Sequence, residues 1–183
     1  MFGDVDWLWS RSDRSDDSYY AWRVDFYSGN VDYNHREGNG YVRCVTDIVH
    51  AVSWKTHDGL EWSDLSPSVK IWTEAVNYCA SIGGRLPSIS ELRTLIQNCT
   101  ATETDGACKV TDSCLSTSCY TSLSCNACEN AVDGRYSVFG DSDFFWSSSS
   151  VDNNTNNAWF VRFNSGYVYG SKKTNKYSVR CVR

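Results

Sequence analysis

The sequence predicts an α+β fold with two helices, several short strands and a disulfide-rich insertion after the helices. Two short segments have the apolar spacing of amphipathic helices, and the segments on either side of them alternate between apolar and polar residues as strands do. Six of the nine cysteines lie between Cys99 and Cys128. The chain has 183 residues, which exceeds one typical domain of about 150 residues and falls short of two.

The start of the chain repeats its end. Residues 2–45 align without gaps on residues 139–182, and 18 of the 44 aligned pairs are identical. The identities include Phe-Gly-Asp at the start of both copies, the pattern AWxVxFxSGxV and the ending VRCV. The segment between the copies occurs once. We therefore predict two domains: residues 1–45 as the C-terminal half of a preceding module, and residues 46–183 as a complete module with a cysteine-rich insertion at 99–128.

A hairpin and two helices are predicted between the two copies. The segments DIVHAVSW and LEWSDL flank the turn signal His57-Asp58-Gly59, which favours a β-hairpin. A first helix then ends at Gly83-Gly84, and its apolar face consists of Trp72, Ala75, Val76, Cys79 and Ile82. A second helix begins at a capping box formed by Ser88 and Glu91, and its apolar face consists of Ile89, Leu92, Leu95 and Ile96.

The repeated segment is predicted to be a sheet. Trp159, Val161 and Phe163 alternate with Phe160 and Arg162, a turn follows at residues 164–166, and a return strand begins at residue 167. The terminal segment SVRCV is expected to form a last strand, with Val179 and Cys181 on one face. Because Cys79 also faces inward from the first helix, we predict a disulfide between Cys79 and Cys181.

The cysteines also indicate the compartment. Their crowding in a segment rich in Ser, Thr, Asp and Gly is typical of a disulfide-stabilised loop in an extracellular or cell-surface protein. A zinc site is the alternative, since Cys125 and Cys128 have half of the spacing of a zinc ribbon and Cys114 with Cys119 is a loose second pair. Six cysteines can pair in fifteen ways, and the sequence does not choose among them.

Charge and hydropathy exclude two classes of partner. The net charge is −5 and no basic stripe is present to neutralise phosphates, so a nucleic-acid partner is not expected. No apolar run reaches the roughly 18 residues of a membrane span, and the first residues lack the pattern of a signal peptide.

The segments WTEAVNYCASIGGRLPSISELRTLIQ, FWSSS, AWFVRFNSG and VRCVR resemble the bacterial C-type-lectin-like domain found at the C-terminus of a collagen-like adhesin and in many secreted and surface proteins. The resemblance covers about residues 48–183, while residues 1–45 match its back half alone. It implies a mixed fold with two helices against a twisted antiparallel sheet, and a long irregular region that displays a binding surface. The same broad fold includes formylglycine-generating enzymes.

No enzyme activity is expected. His35, His50 and His57 lack a nucleophile and an orienting acid in any recognised motif, and Ser147–Ser150 lack the G-x-S-x-G elbow of hydrolases. No cofactor and no metal site are predicted. The Glu-Pro-Asn or Gln-Pro-Asp triplet of calcium-dependent lectins and the later Trp-Asn-Asp do not occur. Asp152, Asn153 and Asn154 could supply oxygen ligands but are better explained as a solvated loop.

The differences between the two copies follow a pattern. Six asparagines of the second copy align with different residues in the first copy. Each of those residues has a codon that differs from the asparagine codon AAC only at its adenines. The aligned pairs, second copy first, are Asn153 with Asp16, Asn154 with Asp17, Asn156 with Tyr19, Asn157 with Tyr20, Asn164 with Tyr27 and Asn175 with Gly38. This is similar to the variable proteins of diversity-generating retroelements. His35 facing Lys172 and Asn39 facing Lys176 do not fit, and ordinary drift at exposed turns is the alternative explanation.

A binding surface is predicted on the second copy. Phe160 and Arg162 are expected to face outward, since Arg23 and Asp25 replace them in the first copy. They join one mixed aromatic and polar patch, of the composition found in adaptable recognition surfaces: Asn156, Asn157, Phe160, Arg162, Asn164, Tyr167, Tyr169 and Lys172. The expected function is adhesin-like binding of a protein or glycan ligand. The alternative is a structural subunit of an appendage, which self-associates through residues 1–45.

Overall fold

The computed structural model describes residues 7–42, 52–128 and 136–183, and the chain forms two compact units, Met1–His50 and Ala51–Arg183. The first unit contains strands β1 (Leu8–Arg14), β2 (Asp17–Val24) and β3 (Val31–His35). The second contains β4 (Trp54–His57), β5 (Leu60–Ser63), helices α1 (Trp72–Ser81) and α2 (Ile89–Arg93), a 3₁₀-helix (Thr117–Cys119), α3 (Ser122–Cys125), and strands β6 (Phe144–Val151), β7 (Asn154–Arg162) and β8 (Tyr167–Lys172). This is the α+β class that the sequence predicts.

All the paired strands are antiparallel. The first unit has a sheet in the order β1-β2-β3, and the second has the hairpin β4-β5 and a sheet in the order β6-β7-β8. In the hairpin, His57 pairs with Leu60, so that Asp58 and Gly59 form a two-residue turn with φ of 50° and 76°. A turn of this kind requires positive φ at both positions, which is why the Asp-Gly pair predicted it.

The two helices lie where the apolar spacing predicts them, but the second is shorter. Helix α1 buries Ala75 and Cys79. Helix α2 begins with the expected capping box, in which the Ser88 hydroxyl accepts from the Glu91 amide and the Glu91 carboxylate accepts from the Ser88 amide. After Arg93 the amides of residues 94–96 donate to carbonyls three residues back, so the helix tightens and ends while Leu95 and Ile96 remain buried.

The β6-β7-β8 sheet is covered on both faces. Trp159, Val161 and Phe163 are buried in a cluster that includes Ile89 and Leu92 of α2, which confirms the prediction that they are core residues. The other face packs against α1 in a second cluster, which includes Ala75, Cys79, Trp146, Ala158 and Phe160. The prediction that Phe160 faces outward is therefore wrong: its side chain is 3% exposed. A strand between two covered faces has no outward side.

The terminal segment is not the regular strand that we predicted. It is held by isolated bridges, in which Ser178 pairs with Phe145 and Val182 pairs with both Trp62 and Arg85. Val179 and Cys181 are nevertheless buried together, and the expected disulfide joins Cys79 to Cys181 with a Cα–Cα distance of 5.3 Å. Cys44 lies outside the described residues.

Three further disulfides hold the cysteine-rich insertion. They are Cys99–Cys128, Cys108–Cys125 and Cys114–Cys119. Cys125 and Cys128 thus pair with different partners, which rules out the zinc alternative because no thiolate is left in this segment. The buried guanidinium of Arg93 donates to the carbonyls of Thr102, Glu103 and Val110 and ties the insertion to α2.

Within the described ranges, no helix is both long and apolar enough to cross a bilayer.

Candidate ligand-binding surface

Two tyrosines of β8 form the centre of the predicted patch. Tyr167 and Tyr169 are two residues apart and share a face of the strand, where their rings stack with centroids 5.3 Å apart and an interplanar angle of 17°. Tyr169 is 43% exposed and Tyr167 is half-buried. An exposed aromatic ring fixed by a neighbour can contact a ligand with little loss of side-chain entropy.

A buried aromatic layer supports these tyrosines. Phe160 pairs across the sheet with Tyr169, and its ring contacts Tyr167, Tyr169 and Tyr177 at centroid distances between 5.1 and 6.3 Å. Tyr177 in turn stacks on Phe144. Phe160 therefore belongs to the predicted site as a support beneath the surface and not as a group that a ligand can reach.

The insertion supplies an aromatic residue that sequence reasoning missed. Tyr120 follows the 3₁₀-helix, and its ring lies 4.9 Å from that of Tyr169 and 6.4 Å from that of Tyr167. The hydroxyls of Tyr120 and Tyr167 are 3.5 Å apart. We define the tyrosine cluster as Tyr120, Tyr167 and Tyr169. The only sequence signal for Tyr120 is its position directly after Cys119, and that becomes informative only once the disulfide pairing is known.

Hydrogen bonds fix the insertion to the sheet beside the tyrosine cluster. The Trp159 indole Nε1 donates to the Leu115 carbonyl at 3.0 Å, and the Asp152 amide donates to the same carbonyl at 3.1 Å. Asn153 accepts from the Thr117 amide and donates to the Thr117 hydroxyl. Asn153 thus holds the segment that leads to Tyr120, so we infer an anchoring contact in place of the solvated loop that the sequence indicated.

Arg162 lies at the edge of the tyrosine cluster. It pairs across the sheet with Tyr167, so it shares a face with the tyrosines, and its guanidinium carbon lies 5.0 Å from the centroid of the Phe144 ring. Its Nε is buried without a hydrogen-bond partner among the described residues. Because Arg162 is half-buried beside the exposed Tyr169, the solvent-facing part of its guanidinium is suited to an acceptor on a ligand.

The remaining predicted residues are not brought into one patch. Asn157 pairs with Lys172, and the alternation of the strand places this pair on the face opposite Phe160 and Tyr169. Asn156 and Asn164 are exposed, the first near the start of β7 and the second in the turn after it. The structure therefore unites Arg162, Tyr167 and Tyr169 with Tyr120 and separates Asn157 and Lys172 from them.

Lys173 binds the start of α1 to the sheet. Its ammonium lies 4.0 Å from the centroid of the Trp72 ring and donates to the Ser150 hydroxyl at 2.7 Å. Desolvation lowers the pKa of Lys173 from its ordinary value. The backbone joins the same residues, since the Trp72 amide donates to the Lys173 carbonyl at 3.0 Å.

The candidate catalytic side chains have structural partners. The Ser147 hydroxyl donates to the Trp159 carbonyl at 2.7 Å, and the Ser149 hydroxyl accepts from the Ile89 amide at 2.9 Å. His57 contacts the Thr94 carbonyl through Nε2 at 3.0 Å. His50 lies outside the described residues. In the part of the chain that the structure describes, no three His, Cys, Asp or Glu side chains are grouped as a metal site would require.

Comparison with protein families gives a match that covers the whole second unit and a few residues before it. Residues 45–183 match the family described as the Lcl C-terminal domain. No curated protein matches the chain.

Proposed function

The chain belongs to the Lcl C-terminal domain family, and from this membership and the tyrosine cluster we propose that it is an adhesin-like module that binds a protein or glycan ligand. The family and the four disulfides are compatible with an extracellular or cell-surface location. The cluster of Tyr120, Tyr167 and Tyr169, with Arg162 beside it, is the proposed contact surface.

The observation that carries this proposal is the rigid placement of Tyr169. Its ring is 43% exposed, although it contacts Tyr120, Tyr167 and Phe160. A buried tyrosine would be explained by packing alone. A tyrosine that is both held and exposed resembles the anchor residues of recognition surfaces, where one aromatic side chain supplies much of the binding energy.

We further propose that the module is not an enzyme. Ser147 and Ser149 use their hydroxyls for bonds within the sheet and to α2. Ser150 contacts Lys173, but that ammonium also lies over Trp72, so the pair is explained by its role in holding α1. A hydrolytic activity lost in Ser150→Ala would contradict this part of the proposal.

Screening the purified chain against protein and glycan arrays, followed by affinity measurements on each ligand found, tests the binding proposal. Tyr169→Ala should weaken binding by about 1 to 4 kcal/mol. Tyr27→Ala is the matched control, because Tyr27 is an exposed tyrosine of the first unit and should leave affinity unchanged. A ligand whose affinity is unchanged in Tyr169→Ala would exclude the tyrosine cluster as the site.

The retroelement hypothesis is a further part of this proposal. Five of the asparagines that differ between the copies are exposed in the second unit: Asn153, Asn154, Asn156, Asn164 and Asn175. Exposure allows substitution without loss of packing, although ordinary drift has the same requirement. Sequencing the gene from related strains distinguishes retroelement diversification from ordinary drift. Diversification predicts changes confined to the adenines of AAC codons, and drift predicts changes at all bases.

A further inference from the structure

The first unit reproduces the backbone pairing of the β6-β7-β8 sheet. Each of the nine cross-strand pairs in the β1-β2-β3 sheet has a counterpart at the aligned positions of the β6-β7-β8 sheet. Both register shifts between β1 and β2 also recur between β6 and β7. Leu8 pairs with Val24 as Phe145 pairs with Val161. The parallel bridge from the first strand to the segment after the sheet also recurs, between Leu8 and Tyr41. Residues 7–42 therefore form the back half of a module with the same two faces.

One face of this sheet exposes residues that the second unit buries. Trp22, Phe26 and Val31 are 36%, 69% and 64% exposed. Their counterparts Trp159, Phe163 and Val168 are at most 1% exposed, because α2 and the insertion pack on them. A tryptophan, a phenylalanine and a valine exposed on one small sheet are unusual for a surface that contacts only water.

The opposite face has a cavity at the position where α1 lies in the second unit. The cavity has a volume of about 290 Å³, and its lining includes Trp9, Ala21 and Val42. The counterparts of these three residues are Trp146, Ala158 and Val179, which share one cluster with Ala75 and Cys79 of α1. The first unit thus has the floor of a helix-binding groove.

A cation is also conserved in position between the two copies. Arg36 lines the cavity and aligns with Lys173, whose ammonium lies over the Trp72 ring at the start of α1. Arginine and lysine both bind an indole face. The groove therefore has a cation at the place where an incoming helix would present its first-turn tryptophan.

We propose that the β1-β2-β3 unit is a docking surface for the front half of a module of this same type. The occupant is a polypeptide with a helix like α1, which has a tryptophan in its first turn and small residues at the positions of Ala75 and Cys79. A second helix like α2 covers the face that contains Trp22. A single helix or a flat partner surface would leave one of the two apolar faces exposed. A front half contacts both, since in the second unit α1 packs on one face and α2 with the insertion packs on the other.

The front half of the same chain is not the occupant. Its α1 is already bound to β6 through the Cys79–Cys181 disulfide and the buried cluster with Trp146. The first sheet should also bind α1 less well than the second sheet does. Arg23 of the first sheet occupies the position of Phe160, whose ring supports the second sheet. Arg23 pairs with Asp32 at 3.6 Å and lies over the Trp7 ring. The docked front half is therefore not residues 66–98 of this chain.

Hydrogen exchange on the full chain tests the proposal. The probe is a synthetic peptide of residues 66–98, which includes α1 and α2, with Cys79→Ser to prevent disulfide exchange. We expect it to slow amide exchange in residues 7–42 by about fivefold or more while residues 144–172 remain unchanged. The readout lies in the first unit, so it is independent of ligand binding at the tyrosine cluster.

Two controls make the test specific. The chain variant Val42→Asp places a charge in the groove at a residue that is 67% exposed, so it should abolish protection without unfolding the sheet; Tyr27→Asp, outside the groove, should preserve it. The peptide with Ala75→Glu should not protect. Equal protection by both peptides, or none by the native one, overturns the proposal. So does a dimer of the chain alone that Val42→Asp dissociates, since the occupant would then be a second copy.

Discussion

Tyr120 of the insertion lies edge-on against Tyr169 of β8, with ring centroids 4.9 Å apart and an interplanar angle of 67°. The contact joins a residue fixed by the neighbouring Cys114–Cys119 disulfide to a residue fixed by the sheet. The position of the exposed Tyr169 ring therefore depends on the insertion.

The two tyrosines should be energetically coupled. In a double-mutant cycle with Tyr120→Ala and Tyr169→Ala, we expect a coupling of about 0.5 to 1.5 kcal/mol in the free energy of unfolding, as for other edge-to-face aromatic pairs. Urea unfolding of the four proteins measures it. The same cycle with Tyr120 and Tyr78 is the control and should be additive, because the Tyr78 ring of α1 packs against Lys70. Additivity of Tyr120 with Tyr169 would contradict the contact.

The Cys79–Cys181 disulfide should contribute more stability than Cys114–Cys119. The first closes a sequence separation of 102 residues and the second a separation of 5. The chain-entropy model gives about 4 to 5 kcal/mol for the long loop and about 2 kcal/mol for the short one. Replacing both cysteines of each pair by serine and comparing the urea midpoints tests this. Equal losses would show that entropy of loop closure is not the main contribution.

Replacing Arg93 should loosen the insertion. Its guanidinium is buried and donates to three carbonyls, and burial lowers its pKa from the ordinary value. Arg93→Met leaves those acceptors without a donor, which should cost about 3 kcal/mol or more. Arg93→Lys should be nearly as harmful, because an ammonium cannot reach three diverging carbonyls. Arg85→Met, at a half-exposed ion pair, should cost less than about 1 kcal/mol. Guanidinium unfolding curves compare the three variants.

Glu91 should make stability depend on acid pH. Its hydrogen bond from Arg85 lowers the pKa of the Glu91 carboxyl below the ordinary 4.5, with further lowering by the Ser88 amide. The stabilisation is therefore fully present above about pH 4.5 and is lost as pH falls through the lowered pKa. Glu91→Gln keeps the cap but removes the charge, so it should be less stable than the native chain at pH 7 and equal to it near pH 2. A constant difference across this range would refute the ion pair.

Each chain should contain one free thiol. Four disulfides account for eight of the nine cysteines, and the ninth, Cys44, lies outside the described residues. Thiol titration in denaturant without reductant should give one thiol per chain, and none in Cys44→Ser. A reading of zero in the native chain, with a dimer on a non-reducing gel, would show that Cys44 bonds a second chain.

Periodicity predicted most of the regular structure. The spacing of Trp72, Ala75 and Cys79 located α1, and the Asp58-Gly59 pair located the hairpin turn. These features depend on local spacing and on backbone conformation, so they can be recognised in the sequence. The length of α2 could not be predicted from the sequence, because the helix ends at Arg93, whose side chain donates a hydrogen bond to the insertion. That contact is formed between segments that no local pattern connects.

The site was predicted only in part. Tyr167 and Tyr169 could be placed on the same return strand from the sequence, and the structure shows that they flank the core residue Val168. Phe160 was misplaced because alternation assigns one face to water, whereas β7 lies between α1 and α2. Tyr120 has no periodic signal at all. Its position depends on which of several disulfide pairings forms, and the spacing of the cysteines leaves that choice open.

The Cys79–Cys181 bridge also determines how the second unit would respond to tension. A pull applied to the chain on the two sides of the bridge passes from residue 79 to residue 181 through covalent bonds and bypasses the residues between them. The insertion and the β6-β7-β8 sheet all lie within that bypassed loop. Mechanical load would therefore extend only the segments outside the loop, and the tyrosine cluster would keep its shape.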